Sequence, residues 1–258
     1  MISALTLRII ACVTMLIDHI GYLYGIMAFR YIGRLAFPIF AFLLVNGYRH
    51  TRDVKKYMLR LAAFAIVSEI PYNLFFGGGQ ILNPNKQNVF ITLLLGLCCI
   101  ILMDIAKKRH ILLSVIPVIF FCYAAFKFKC DYDYIGILTV VSCHIFYNKD
   151  IKSRIFLAIA MLFLSSYDVI SFYSNLLIYN TIGFNLRSVV YFRPFVSEYP
   201  GTFQIPRVFA LIPIFLYSGK KGWQPKTKWA KIAFQYGFYL FYPAHITVLY
   251  LIEMFERI

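Results

Sequence analysis

The first apolar segment of the chain, LRIIACVTMLIDHIGYLYG over residues 7–25, contains three ionisable side chains. Arg8 and His19 are eleven residues apart, so they project from one face of a helix at a separation of roughly 16 Å along its axis. An arginine binds phosphate groups, and a histidine accepts a proton from a nucleophile. The spacing fits a thioester on a long phosphate-bearing carrier, with the phosphates at Arg8 and the thioester near His19.

The same residues also have simpler explanations. Arg8 can extend its charge to the interface as a topology anchor, and His19 can be a neutral imidazole bonded to a carbonyl. Ionisable residues inside a membrane nevertheless favour a functional role. Asp18 and His19 point about 100° apart on a helix, so we expect Asp18 to pair with another helix. Arg34, near the outer end of the next span, is its predicted counter-ion, in a pair that is either functional or structural.

Two further polar residues lie in the third apolar segment, YMLRLAAFAIVSEIPYNLFF. Arg60 lies near its cytoplasmic edge, and Glu69 lies about 13 Å deeper by helical rise. Glu69 and Asn73 are four residues apart and share a face of the helix. Glu69 is therefore a candidate acid, base or proton carrier, with a protonated and hydrogen-bonded carboxyl as the alternative.

The last apolar segment brings a second deep histidine, His245, beside Pro243. Tyr242 and His245 belong to a loose stripe of aromatic and polar residues, a pattern that more often reflects packing than a site. The deep histidines have no ligand spacing on any one segment, so we predict no metal. The six cysteines lie mostly in apolar runs, and we assign them neither a metal nor a disulfide.

The composition is that of an integral membrane protein. Of 258 residues, 61% are hydrophobic and 14% are charged, whereas soluble domains contain about 25% charged residues. Apolar segments run through the whole chain, so we predict one membrane domain over residues 1–258. The net charge of +15 is concentrated in short loops, which is typical of topology signals and not of nucleic-acid binding.

The apolar segments predict an all-α, polytopic helical bundle with about nine to eleven transmembrane helices. Residues 168–202 fit this pattern badly, because asparagine, glycine, arginine and proline interrupt an aromatic stretch. We expect an outer-side or re-entrant excursion there, since irregular backbone at membrane depth must be shielded by protein or line a wet cavity. The nine clearest spans lie near residues 5–27, 32–48, 58–76, 89–106, 111–127, 134–147, 154–167, 203–218 and 232–252.

The basic connections follow every second span, and the alternating connections are nearly neutral. Cytoplasmic loops carry the excess of lysine and arginine. This bias predicts a cytoplasmic N-terminus and places the loop Gly77–Asn88 outside. The basic connections are residues 49–56, 107–110, 148–154 and 219–231.

Six segments, in order along nearly the whole chain except roughly residues 150–200, resemble the TraX family. They are IDHIG (17–21), GRLAFPIFAFLLVNGYRHT (33–51), RLAAFAIVSEIPYNL (60–74), NVFITLLLGL (88–97), DYDYIGIL (131–138) and YLFYPAHI (239–246).

The resemblance implies a bacterial plasma-membrane enzyme that acetylates the N-terminal amine of a pilin, with acetyl-CoA as donor. The family is also related to the transmembrane acyltransferase superfamily, whose sugar O-acyltransferases carry the spacing of Arg8 and His19 in their first helix. By resemblance His19 is then the general base or acyl-relay residue. Arg60 matches the second arginine of the superfamily's Arg-x-x-Arg pair, but Tyr57 stands in place of the first, and Lys56 or Arg52 are its possible substitutes.

Residue patterns and resemblance together predict a site in three parts. The catalytic group consists of His19, Asp18 and Glu69. The phosphates of acyl-CoA bind Arg8, Arg49, Lys56 and Arg60. Residues expected to contact the acceptor or to balance charge are Arg34, Asn73, Asp131, Asp133, Tyr242 and His245.

The acceptor is left open between a pilin-like N-terminus, another small amine and a glycan hydroxyl. Two other functions also fit the sequence. In a proton-coupled transporter, Asp18, His19, Glu69 and His245 would form a proton relay. In a non-catalytic assembly factor for a surface appendage, these residues would serve the fold alone.

Overall fold

The computed structural model describes residues 1–84, 86–182 and 201–256. The regular structure in these ranges is helical, which confirms the all-α class. Two 3-10 segments, Ile111–Ser114 and Gly201–Ala210, lie between the α-helices. The α-helices are α1 (Ala4–Leu23), α2 (Met27–Gly33), α3 (Ala36–His50), α4 (Val54–Phe76), α5 (Val89–Lys107), α6 (Val115–Lys127), α7 (Asp133–Ile145), α8 (Ile151–Ile182), α9 (Leu211–Phe215) and α10 (Lys228–Glu256).

Five helical segments of the described chain are long and apolar enough to cross a membrane: α1, α2 with α3, α4, α5 and α10. Shorter apolar helices cover Ile111–Lys127, Asp133–Ile145 and Phe203–Phe215. These coincide with predicted spans, and the total of nine to eleven stays a prediction.

Helix α8 differs from the sequence prediction. It continues to Ile182, past residue 167, where the sequence placed the end of a span. The backbone of residues 168–182, the first part of the predicted excursion, is therefore helical despite its polar residues, and its outer-side or re-entrant placement stays a prediction. Residues 183–200 lie outside the described residues, and the prediction stands untested for them.

Backbone hydrogen bonds identify two opposite ends of the bundle. At one end, which we call the basic end, the Ile2 N–H donates to the Leu216 carbonyl (2.9 Å) and the Ala4 N–H donates to the Lys220 carbonyl (2.9 Å). At the other, neutral end, the Asp131 N–H donates to the Gln87 carbonyl (2.9 Å). The N-terminus and the basic loop 219–231 thus share one end, as the sequence predicts; which end faces the cytoplasm stays a prediction.

The helices that position the histidines pack directly against one another. Helix α10 lies against both α1 and α4, while α1 also lies against α2 and α3. Leu7 and Ala11 of α1 are fully buried and belong to the hydrophobic core of the bundle. Two segments more than 200 residues apart in the chain are therefore neighbours at the centre of the fold.

A buried ion cluster joins α1 to the next two helices. The Asp18 carboxylate accepts hydrogen bonds from Arg30 Nη1 (2.7 Å) and Arg34 Nη2 (2.6 Å), and each of the three residues is at most 8% exposed. The predicted pairing of Asp18 with Arg34 is confirmed. Arg30 was missed because it falls between two predicted spans. The Phe203 ring lies 4.7 Å from the Arg34 guanidinium, a cation–π contact that shields the charge.

At Gly33 the backbone of α2 lies directly against the Asp18 side chain. A Cβ at Gly33 would lie 2.1 Å from the Asp18 Cβ and 2.3 Å from its Oδ1. We expect Gly33→Ala to displace the carboxylate and to lower the thermal unfolding temperature in detergent. The control is Gly237→Ala on α10, where a Cβ meets nothing within 4 Å and helix propensity favours alanine by about 1 kcal/mol. Equal unfolding temperatures for the two variants would contradict the packing described.

Removal of the shared carboxylate leaves two buried guanidinium groups without their anion. We expect Asp18→Asn to cost about 3–5 kcal/mol of unfolding free energy, the range for breaking a buried ion pair from one side. The matched control is the triple variant Asp18→Leu, Arg30→Met and Arg34→Met, which removes all three charges and should recover most of the loss. Chemical denaturation in mixed micelles measures both. Wild-type stability in Asp18→Asn would show that the pairing contributes little.

Candidate active site

Two histidines from opposite ends of the sequence meet inside the bundle. His19 Nδ1 on α1 lies 2.7 Å from His245 Nε2 on α10. The two rings are nearly parallel at 9°, with centroids 4.9 Å apart, and each residue is 8% exposed. His245 Nδ1 lies 2.6 Å from the Phe241 carbonyl oxygen, one helical turn earlier. The sequence placed both histidines deep in the membrane but did not predict their contact.

Aromatic rings surround the histidine pair. The Phe76 and Phe75 rings at the end of α4 lie 5.2 and 6.4 Å from the His19 ring, and the Tyr242 ring lies 6.3 Å away. Such walls exclude water, and electrostatic interactions are stronger in a dry site. Tyr242, predicted as a contact residue, therefore belongs to this site.

A cavity of about 670 Å³ opens at the basic end, and neither His19 nor His245 is among the residues that line it. Met15, on α1 one turn before His19, lines its deep part, and so does Tyr242. The walls between mouth and deep part are largely apolar, with Leu44, Leu61 and Leu93 among them. The side chains that bring positive charge to the cavity are Arg8, Arg52, Arg60, Lys221 and Lys231.

The four predicted phosphate ligands divide into two pairs. Arg8 and Arg60 line the cavity. Arg49 does not, because its guanidinium donates to the His144 carbonyl (2.8 Å) and lies over the Tyr147 ring.

Lys56 does not line the cavity either. It pairs with Asp53 at the surface, with Lys56 Nζ 3.3 Å from the carboxylate. The Lys56 backbone N–H also donates to Asp53, and this bond holds the pKa of that carboxyl below its usual value. The structure brings in Lys221 and Lys231 instead, whose only signal in the sequence is membership of a basic loop.

Glu69 is not in contact with the histidines. Its carboxylate accepts hydrogen bonds from the side-chain amides of Asn73 (3.4 Å) and Asn88. The Asn88 amide also donates to the Ala65 carbonyl, and its oxygen accepts the Phe90 N–H at the start of α5. Glu69 and Asn73, which the sequence places on one face of the helix, are in contact. These bonds link α4 to the start of α5. Glu69 therefore does not lie beside His19, although the sequence analysis grouped the two as catalytic residues.

Asp131 and Asp133 lie at the neutral end, opposite the cavity mouth. The Asp131 carbonyl accepts from the Thr92 hydroxyl, and burial raises the pKa of its carboxyl, against the effect of the nearby Lys86. Asp133 Oδ1 accepts the Tyr134 N–H (2.8 Å) at the start of α7. The predicted acceptor residues and the predicted donor residues therefore lie at different ends of the bundle.

No metal-binding group of three or more histidine, cysteine or carboxylate residues occurs within the described ranges. The six cysteines are free thiols. The arrangement of histidines, cations and apolar walls thus supports proton transfer next to an elongated anion site.

Comparison with known proteins gives two matches. The model of a family described as "TraX protein" matches residues 3–253. The chain is also 28% identical over 270 residues to the probable fimbrial assembly protein FimC, serogroup H1, of Dichelobacter nodosus, in an alignment that covers 98% of this chain and 96% of that relative. No solved structure matches the chain.

Proposed function

The chain belongs to the TraX family, and from this membership we propose that it is an integral-membrane acyltransferase. It transfers an acetyl or other acyl group from acyl-CoA to an amine or hydroxyl acceptor. The observation that supports this proposal is the cavity, which has several cations among its lining residues and reaches Met15, one helical turn before His19 on α1.

Acyl-CoA has the shape and charge that this cavity accommodates. Its phosphates carry several negative charges at one end, and arginine and lysine are the usual ligands of phosphate. Its pantetheine arm is long and narrow and fits the largely apolar walls. The rise along α1 from Arg8 to His19 is roughly 16 Å, and the cavity extends along this helix as far as Met15. In the proposal, a donor with its phosphates at the mouth therefore extends past Met15 to bring its thioester to His19.

In the proposed reaction, His19 accepts a proton from the acceptor as the acceptor nitrogen or oxygen attacks the thioester carbonyl. The new bond joins the acyl carbon to the acceptor, and the bond between that carbon and sulfur breaks. The thiolate of CoA leaves and takes the proton back from the His19 imidazolium. No metal, oxidant or reductant takes part in this sequence.

The acceptor side of the proposal draws on the relative. Because that relative is named a fimbrial assembly protein, we favour the N-terminal amine of a pilin-like protein over a small amine or a glycan. With the N-terminus in the cytoplasm of a bacterial plasma membrane, acyl-CoA enters from the cytosol. The acceptor then approaches from the neutral end, where Asp131 and Asp133 lie.

A non-catalytic role in appendage assembly is the second candidate, and the name of the same relative favours it. The proton-coupled transporter has less support, because its relay residues are dispersed. Asp18 pairs with arginines and Glu69 with asparagines, so only the two histidines are in contact.

The first test removes the proposed base. We expect His19→Ala to lower turnover of labelled acetyl-CoA by about 10²- to 10⁴-fold, the usual contribution of a general base. The matched control is His110→Ala, an exposed histidine outside the cavity lining, which should keep wild-type turnover. Full turnover in purified His19→Ala would refute acyl transfer by this residue. Normal appendage assembly in cells that carry only His19→Ala would favour the assembly factor.

The second test concerns the mouth of the cavity. We expect Arg8→Gln and Arg60→Gln each to raise KM for acetyl-CoA by about 10- to 100-fold, because each removes a charged hydrogen bond to phosphate. The kcat should change little, since the contact is made in ground state and transition state alike.

The control for this test is Lys56→Gln, which removes a cation of the same region that does not line the cavity. Its KM should equal that of the wild type. Thioesters of dephospho-CoA, which lack the 3′-phosphate, show which cation binds that phosphate. A variant that lacks this cation should have the same KM as the wild type for the dephospho donor. A KM that rises equally in all three variants would indicate a general charge effect and contradict a defined phosphate site.

A further inference from the structure

We infer that His245 is a positioning residue which, together with the Phe241 carbonyl, fixes the tautomer of His19 so that Nε2 is the free base. This inference rests on the proposed acyl transfer for its kinetic consequence. Its structural content, the location of the protons on the two rings, stands on the hydrogen-bond geometry alone.

The assignment starts at the Phe241 carbonyl. A carbonyl oxygen can only accept, so His245 Nδ1, 2.6 Å away, must carry a hydrogen. A neutral imidazole has one N–H group, so His245 Nε2 has a lone pair and accepts. Its partner, His19 Nδ1 at 2.7 Å, must then be the donor.

The same rule applied to His19 completes the chain. With its hydrogen on Nδ1, neutral His19 has its lone pair on Nε2. That atom forms no hydrogen bond with another residue in the described part of the protein. His19 therefore presents a proton acceptor on the opposite side of the ring from His245, in the tautomer that the proposed mechanism requires.

Protonation of His19 leaves this arrangement intact. When Nε2 takes the acceptor proton, Nδ1–H becomes part of an imidazolium and its bond to His245 becomes charge-assisted, hence stronger. A base oriented by a third group through its remote nitrogen is a general design for acyl transfer. His245 fills that role without carrying a charge, which suits a membrane interior where an extra carboxylate would be costly.

Packing holds the second ring in place. The Phe241 ring stacks on His245 with centroids 4.8 Å apart and an angle of 20°, and Tyr242 contacts it edge-on at 5.8 Å. The carbonyl and the histidine belong to one turn of α10, so their bond depends on local helix geometry alone. His245 is thus oriented by contacts within its own helix, independently of α1.

Three substitutions at residue 245 distinguish the effect of its hydrogen bond to His19 from the effect of its packing. The glutamine side chain is long enough to place an acceptor near the position of Nε2, whereas the asparagine amide ends near Nδ1 and does not reach His19. Phenylalanine keeps the ring volume and removes both bonds. We expect His245→Phe and His245→Asn to lower kcat by about 10²- to 10⁴-fold, and His245→Gln to retain a larger share.

The KM for acetyl-CoA should stay near the wild-type value in all three, because His245 does not line the donor cavity. Thermal unfolding in detergent identifies any variant that has lost its fold; the Gln and Asn variants still provide the comparison if the Phe variant unfolds. Wild-type kcat in both the Asn and Phe variants would overturn the inference. Equal loss in the Gln and Asn variants, both folded, would also overturn it.

Nitrogen NMR of the full-length protein gives a readout that is independent of activity. Protein with ¹⁵N-labelled histidine contains five such residues, and the His19→Ala and His245→Asn variants assign the two of interest. We expect a protonated Nδ1 and an unprotonated Nε2 for His19, and a mixture of tautomers in His245→Asn. A proton on Nε2 of His19 in the wild type would overturn the inference.

The two experiments distinguish the inference from the proposed function. If the wild type transfers no acyl group but the NMR shows the expected tautomers, acyl transfer fails and the positioning of His19 by His245 stands. If the wild type is active, His19→Ala is inactive and His245→Phe keeps full kcat, acyl transfer stands and the role of His245 fails.

Discussion

The buried carboxylate of Asp18 determines how α1 packs against the chain segment that follows it. Its two oxygens bind the guanidinium groups of Arg30, on α2, and of Arg34, in the link between α2 and α3. A buried charge left without its partner is costly, so these bonds hold α2 and that link against α1. This fixes the rotation of α1 about its axis. His19, the next residue, is turned about 100° away and therefore faces α10 and α4. Asp18 thus orients His19 through the helix, without touching it.

The other polar groups lie mainly at the two ends of the bundle. The asparagines around Glu69 join α4 to α5 near the neutral end, and the cations at the basic end surround the cavity mouth. Between them lies a largely apolar interior that contains the histidine pair. A largely apolar centre strengthens any hydrogen bond formed within it.

Some of this arrangement follows from the sequence. The 3.6-residue period predicts that Arg8 and His19 share one face of the helix and that Asp18 and His19 point in different directions. The need to neutralise a charge inside the membrane predicts Arg34 as the counter-ion of Asp18. These inferences depend on neighbours within one or two helices. The contact of His19 with His245 depends on how the last helix packs against the first, which no local pattern specifies. The prediction for Arg49 was wrong for the same reason. Its place in the sequence does not show that its guanidinium bonds to the His144 carbonyl of another helix.

The two helices that meet at the histidines are also the two that extend to the cavity mouth. Arg8 and His19 are on α1, and Lys231 and His245 are on α10. Each helix therefore has a cation that lines the cavity at one end and one histidine of the pair further along. An axial slip of one helix by a single residue rise, 1.5 Å, exceeds what a 2.7 Å hydrogen bond tolerates. If the proposed donor binds Arg8 and Lys231 together, its phosphates would join the two helices at the mouth and couple occupancy of the mouth to the alignment of the histidines.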